Sequence, residues 1–101
     1  MDGKVVISPR ALRDLEEIVR FIAADNPPAA ARFGALLLAE TEATGRWPEA
    51  GRLVPEFKTP EIRERIFRSI RIVYRIDAAQ RRVVIARFWH GARGTPEIGP
   101  A

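Results

Sequence analysis

Ile70-Arg71-Ile72-Val73-Tyr74-Arg75-Ile76, a break over Asp77 to Arg81, and then Arg82-Val83-Val84-Ile85-Ala86-Arg87-Phe88-Trp89-His90 is the passage on which the fold turns. Both runs are rich in β-branched and aromatic residues, and a five-residue turn joins them, so they read as antiparallel neighbours. A further strand near Ile62 to Arg68 precedes them. Arginine recurs where small water-facing residues would otherwise stand. The expected sheet therefore has one apolar face for a core and a second face crowded with guanidinium groups, which suit phosphates and carboxylates.

Working outward, Lys4 to Ile7 is a short β-branched run, and Ser8-Pro9 is an N-cap with proline at the first helical position. Ala11, Leu15, Ile18 and Ile22 then recur at helical spacing, with Leu12 and Val19 widening the stripe and Arg13, Asp14, Glu16, Glu17 and Arg20 assigned to the opposite face. That helix should stop near Asp25. Asn26-Pro27-Pro28 repeats the start signal, and the run through Phe33, Leu36, Leu37 and Leu38 extends a second helix to about Gly45. Between Arg46 and Glu61 the periodicity is lost among prolines, which marks an irregular loop.

The expected order is β-α-α-β-β-β. This is an α+β domain over residues 1–93, its helical hairpin packed on one face of a small antiparallel-rich sheet. The Gly- and Pro-containing residues 94–101 read as a flexible tail. Tyr74, Trp47 and Trp89 are expected to serve packing.

A chain of 101 residues suits a single domain. It has no cysteine, which excludes disulfides and thiolate chemistry. The N-terminal apolar run is too short for a signal peptide and no segment approaches membrane-spanning length, so a cytoplasmic protein without a membrane partner is expected. Residues 1–45 carry a balance of −2 and residues 46–101 a balance of +6, with nearly all the basic excess as arginine. Planar, bidentate recognition is the chemistry this favours. There is no Gly-rich phosphate loop, no paired histidine ligands and no nucleophile spaced from a base, so neither a metal nor an organic cofactor is expected.

Ser8-Pro9-Arg10-Ala11 with Asp14-Leu15 and Ile18, Phe21-Ile22-Ala23, Ala30 to Phe33, Gly51-Arg52-Leu53-Val54-Pro55-Glu56, Ile62-Arg63-Glu64, Arg71 to Arg75 and Trp89-His90-Gly91-Ala92-Arg93 form an ordered series along nearly the whole chain. The series resembles the RelE/ParE superfamily of type II toxins, also described as plasmid-stabilisation proteins. The resemblance implies the same β-α-α-β-β-β layout and a growth inhibitor held silent in a hetero-oligomer by a cognate antitoxin whose C-terminal segment wraps around it.

Two mechanisms are implied by that superfamily. ParE-like members poison DNA gyrase without being enzymes, and RelE-like members cleave mRNA in the ribosomal A site. The wording of residues 51–56 and 90–93 is closer to the ParE-like sequences. Cleavage would require a base, a cation for the phosphorane and an acid for the leaving oxygen. Glu56, Arg71 and His90 resemble the Glu, Arg and His of some ribosome-dependent members and would take those roles. If Ile76 pairs with Val83, an unbroken ladder sets Arg71 opposite Phe88 and Ser69 opposite His90, placing Arg71 and His90 on one face; a one-residue slip separates them. Gly91 departs from the nuclease pattern, where several relatives have an aromatic residue.

A small basic domain binding nucleic acid directly is a third reading. For a target, the candidates are Arg63, Arg71, Arg75, Arg87 and Arg93, with Arg71 and Arg87 expected to be replaceable at little cost in stability. For the antitoxin, they are Leu12, Val19, Phe33 and Leu37, as an apolar groove beside the helices.

Overall fold

In the computed structural model, which describes residues 3–98, the chain runs β1 (Lys4–Ile7), α1 (Pro9–Ala23), α2 (Pro27–Arg46), a 3-10 turn (Pro48–Ala50), β2 (Arg52–Leu53), β3 (Ile62–Phe67), β4 (Ile70–Asp77), β5 (Arg82–His90) and a second 3-10 turn (Gly91–Arg93). Both helices start as their caps dictate. The Ser8 hydroxyl accepts from the Ala11 amide at 3.1 Å and the Asn26 side-chain oxygen from the Ala29 amide at 3.0 Å, each followed by proline at the first helical position. A three-residue link, Ala24 to Asn26, closes the hairpin.

The sheet order is β1-β5-β4-β3-β2, with β1 parallel to β5 and every other pair antiparallel. The two-residue strand β2 adds an edge that the loop's lost periodicity gave no reason to expect, making five strands. One face packs on the hairpin. Ala11, Leu37, Ile70, Ile72, Tyr74, Val83, Ile85 and Phe88 form this core, with Leu15, Ile18 and Phe33 at its margin. Gly45 lets α2 approach the N-terminal segment, since a Cβ there would lie 2.5 Å from the Gly3 carbonyl oxygen. The Tyr74 hydroxyl donates to the Pro48 carbonyl and so pins the start of the loop after α2.

The other face is not simply a solvated row of arginines. Val54, Ile62 and Val73 form a second buried cluster there, with Phe57 from the loop and Ile98 from the C-terminal segment against it. The loop and the segment 94–98 therefore cover part of the outer face. Arg63 and Arg65 lie opposite Tyr74 and Ile72, on the helix side of β3.

A β-bulge decides how the two long strands meet. Ile76 pairs with Val83 as expected, but Tyr74 opposes Ile85 while Val73 opposes Arg87, which leaves Ala86 as an extra residue. Past it, Arg71 lies opposite Trp89 and Ile70 opposite His90. This corrects the unbroken register, because the single inserted residue moves every later pairing by one position. Arg71 is on the outer face, whereas His90 pairs with Ile70, a residue of the helix-side core.

Strand β1 pairs only with Arg82 to Ile85, so the rest of β5 requires other partners. The Ser8 amide donates to the Ile85 carbonyl, the Ser8 hydroxyl to that of Ala86, and the Phe88 amide to the Asp14 carboxylate at 3.1 Å. Asp14 is thus buried, 6% exposed, and not on the wet face of α1 to which its charge assigned it.

Candidate functional site

Two arginines that the sequence treats alike are held in different ways. Arg87 is 3% exposed and meets Asp14 through two bonds, Nε at 2.7 Å and Nη2 at 2.9 Å, while its Nη1 donates to the Glu97 carbonyl. The adjacent carboxylate raises its already high pKa further, against the opposing effect of burial. Arg87 therefore faces Asp14 and the C-terminal segment and not an external target, which corrects its assignment as a solvent-facing, freely replaceable contact.

Arg71 stands at the rim of an outer-face cleft of about 380 Å³, bounded by Arg52, Pro55, Glu56, Ile66, Arg68, Ser69 and Gly91. Its Nη1 and Nη2 donate to the two Glu56 oxygens at 3.1 and 2.8 Å, and its Nε to Glu64 at 2.6 Å. The other Glu64 oxygen accepts from Arg52 Nε at 2.6 Å. The result is a continuous chain, Arg52–Glu64–Arg71–Glu56, whose formal charges cancel. Glu64 is buried at its centre, which is tolerable because a cation lies on either side. Glu56 is at the wet end, and its bonds to Arg71 hold its carboxyl below the usual value of 4.5.

The loop reaches this position because Val54 is buried in the outer cluster, with the Phe57 and Lys58 amides both donating to the Val54 carbonyl and Lys58 taking a left-handed φ of 52°. Glu56 and Arg71 are therefore brought together as the sequence proposed, across an irregular loop. His90 is not part of this group. Its Nδ1 accepts from the Ala92 amide at 3.1 Å, capping the 3-10 turn, and Gly91, not His90, lines the cleft.

The remaining target candidates are dispersed. Arg63 donates to the Gly51 carbonyl at 3.1 Å and so props the loop, with its Nε buried and unbonded among the described residues. Arg75 lines a different cleft, beside α1. Arg93 is exposed and lies over the Trp89 ring at 4.2 Å, with Arg87 over the same ring at 4.7 Å. Trp89 is buried and its Nε1 donates to the Gly94 carbonyl, which Arg71 also bonds. Residues 94–98, read from sequence as flexible, are thus tied to the sheet through Gly94 and Glu97, and residues 99–101 lie outside the described part.

On the hairpin, Leu12 is 47% exposed, Val19 and Phe33 are half-buried, and Leu37 is fully buried. Leu37 is a core residue and leaves the apolar groove, a correction that follows from its place between Leu36 and Leu38, which remain on the surface. Trp47, expected to pack, is 65% exposed.

Glu64, Asp14 and Arg52 join these networks without being sequence candidates. Two of them do carry a signal: Glu64 takes an apolar place in the alternation Ile62, Glu64, Ile66, and Asp14 is three residues past Ala11 and four before Ile18, on the buried stripe. A carboxylate at a core position implies a buried cation nearby.

Among the described residues no helix is long and apolar enough to cross a membrane, and no group of acidic or histidine side chains has the arrangement of a metal site. Residues 5–94 match the family described as the ParE toxin of the type II toxin–antitoxin system parDE. The chain is 34% identical over 92 residues to Toxin RelE1 of Caulobacter vibrioides, an alignment covering 90% of this chain and 96% of that protein. Its fold resembles a chain of the chromosomal ParDE toxin–antitoxin system from P. aeruginosa, with a TM-score of 0.72 and 14% identity over 88% of this chain and 96% of that one. It also resembles a chain of the RelBE2 toxin–antitoxin complex from Mycobacterium tuberculosis, with a TM-score of 0.67 and 24% identity over 89% and 92% of the two chains. With a family match spanning nearly all of the described fold, the chain belongs to the ParE toxins of type II toxin–antitoxin systems.

Proposed function

We propose that this toxin arrests growth by poisoning DNA gyrase, acting as a binding protein and not as a nuclease, in the cytoplasm and within a plasmid-stabilisation or equivalent system. The observation that carries this reading is the division of the nuclease trio. Glu56 and Arg71 neutralise each other on the outer face, while the bulge at Ala86 aligns His90 with the opposite side of the sheet. A general acid must reach the leaving oxygen at the same phosphate that the base and cation serve, so a trio split across a sheet does not meet the geometric requirement. Exposed Arg93, positioned by Trp89, is the best candidate for target contact, with Arg75 and Arg63 secondary and Arg71 available only once Glu56 is displaced.

The antitoxin is assigned to the hairpin, where exposed Leu12 and the half-buried Val19 and Phe33 offer an apolar strip for a segment that folds on binding. The ribosome-dependent mRNA reading retains one supporting observation, the adjacency of Glu56 and Arg71 in a cleft whose rim arginines, Arg52 and Arg68, suit phosphate.

Purified protein should block supercoiling by gyrase and leave ribosome-bound mRNA intact. His90→Ala should remain toxic, and induction should produce DNA damage and filamentation. Codon-position cleavage of mRNA in cells making the wild type, lost with His90→Ala, would overturn the proposal in favour of the nuclease, since loss of a general acid typically costs about 10²- to 10⁴-fold in rate.

A further inference from the structure

A second and larger cleft, about 630 Å³, lies away from the Glu56–Arg71 site, between the first turns of α1 and the outer face of β4 and β5. Its walls carry Arg10, Arg13, Arg75, Arg82 and Arg87 against only Glu61 and Asp77, and Val84 and Ala86 contribute apolar surface. Three of the five cations have partners within the fold, Arg87 in Asp14, Arg82 in Asp77 at 3.0 Å, and Arg75 as well. Arg10 and Arg13, one turn apart on α1, are exposed and form no ion pair among the described residues. Lone surface arginines are ordinary; two aimed at a basic cleft with an apolar wall leave a charge imbalance that an anionic occupant would correct.

We propose that this cleft holds an acidic peptide segment of a protein partner, with carboxylates on Arg10 and Arg13 and an apolar side chain against Val84 and Ala86. This rests on the reading of the chain as a toxin held by a protein. The wall composition favours a peptide over a nucleic acid strand. Glu61 and Asp77 would repel a continuous run of phosphates, whereas a peptide carries its charges at intervals and can set an apolar residue or a backbone amide beside them. Arginine forks match carboxylates in two parallel bonds. The bulge at Ala86 and the end of β1 at Ile7 shape this wall, so the basic cleft is a product of the same irregularity that divides Arg71 from His90.

The test is a titration of the isotope-labelled protein, followed by amide NMR, with three probes: a blocked hexapeptide of alternating glutamate and leucine, its glutamine–leucine counterpart, and a thymidine hexanucleotide. The glutamate peptide should shift the amides of residues 10–13 and 82–87. The glutamine peptide should not, and the Arg10→Glu/Arg13→Glu variant, which alters only exposed side chains, should weaken the response about 10-fold or more at an unchanged Tm. Absence of shifts in this cleft, an equal response from the variant, or tighter binding of the hexanucleotide there would overturn the proposal.

The antitoxin of the adjoining reading frame separates this from the wider reading. If it binds wild type and the double variant equally, the cleft is excluded and the toxin assignment stands. If it binds neither, the partner reading fails and takes the proposal with it. Binding that falls at least about 10-fold in the variant supports both.

Discussion

Arg87 and Arg71 lie two ladder positions apart on the outer face of adjacent strands, against Val73 and Trp89 respectively, yet one is sealed inside the fold and the other is bonded at the rim of a cleft. Arg87 is closed off from water by α1 and by residues 94–98, and its carboxylate partner also accepts a backbone amide of β5. Arg71 shares its charge between Glu64, which is buried, and Glu56, whose side chain is 29% exposed on a loop. A buried pair cannot be exchanged without leaving a charge in low dielectric, whereas a rim pair can trade one anion for another at small cost. Residue type does not separate the two, and neither does Glu64, which is as deeply buried as Asp14; what sets Arg71 apart is its second carboxylate partner, Glu56, on an exposed loop.

The largest effect should follow from breaking the inner pair. Arg87→Ala leaves the Asp14 carboxylate buried with only the Phe88 amide, and a loss of about 3–5 kcal/mol is expected by urea denaturation. Asp14→Ala should cost a similar amount, since it strands both the guanidinium and that amide. The double replacement Asp14→Leu/Arg87→Met removes both charges and should recover part of the loss, short of wild type because the Phe88 amide still lacks an acceptor. A single variant within about 0.5 kcal/mol of wild type, the range of an ordinary surface change, would show that the pair is less closed than its geometry.

The outer pair should respond to pH and weakly. Bonding to Arg71 depresses the folded-state pKa of Glu56 below 4.5, so its contribution is present above the unfolded-state value and is lost as the pH falls through the lower folded value. Glu56→Gln should cost under about 1 kcal/mol at neutral pH, in keeping with a solvent-screened pair. The gap between variant and wild type should close as the pH drops below 4.5. A gap that stays constant through this window would mean that Glu56 acts through loop packing and not through its charge.

What the sequence made legible follows the same division. Caps, helix spacing and β-branched runs are local signals, and Ser8, Asn26, α1, α2 and the three long strands follow them. The bulge at Ala86 has no glycine or proline to announce it, because it arises where β1 ends and α1 takes over the edge of β5. The side chains that are buried against expectation, Asp14, Leu37 and Arg87, are those whose neighbours come from distant parts of the chain, while Trp47 reverses the other way and is exposed. Of the candidate site, the meeting of Glu56 and Arg71 is legible from a family pattern, whereas the buried Glu64 that fixes Arg71 from below is marked in the sequence only by its apolar place in the strand alternation. Consecutive Leu36, Leu37 and Leu38 show the limit plainly: three equal hydrophobes, of which only the middle one points at the sheet.

The smallest expected effect is that of a glycine replacement at a third arginine of the outer cleft, Arg68, which among the described residues is neither buried nor paired with a carboxylate. It occupies the tight turn between β3 and β4 with a left-handed φ of 54°, and its guanidinium lies over the rings of Phe67 and Phe33 at 5.1 and 5.7 Å. A non-glycine residue in that backbone region carries roughly 1–2 kcal/mol of steric cost, which exposed cation–π contacts of about 0.5–1 kcal/mol each partly offset. Arg68→Ala removes the ring contacts and keeps the strain, so it should destabilise by about 1 kcal/mol. Arg68→Gly removes both, and glycine's extra unfolded-state freedom of about 0.5–1 kcal/mol consumes most of the relief, leaving the protein within about 0.5 kcal/mol of wild type. The order wild type, glycine, alanine in chemical denaturation would establish Arg68 as an arginine whose value to the fold is backbone and stacking; alanine more stable than glycine would show that the left-handed turn carries no strain for Gly to relieve.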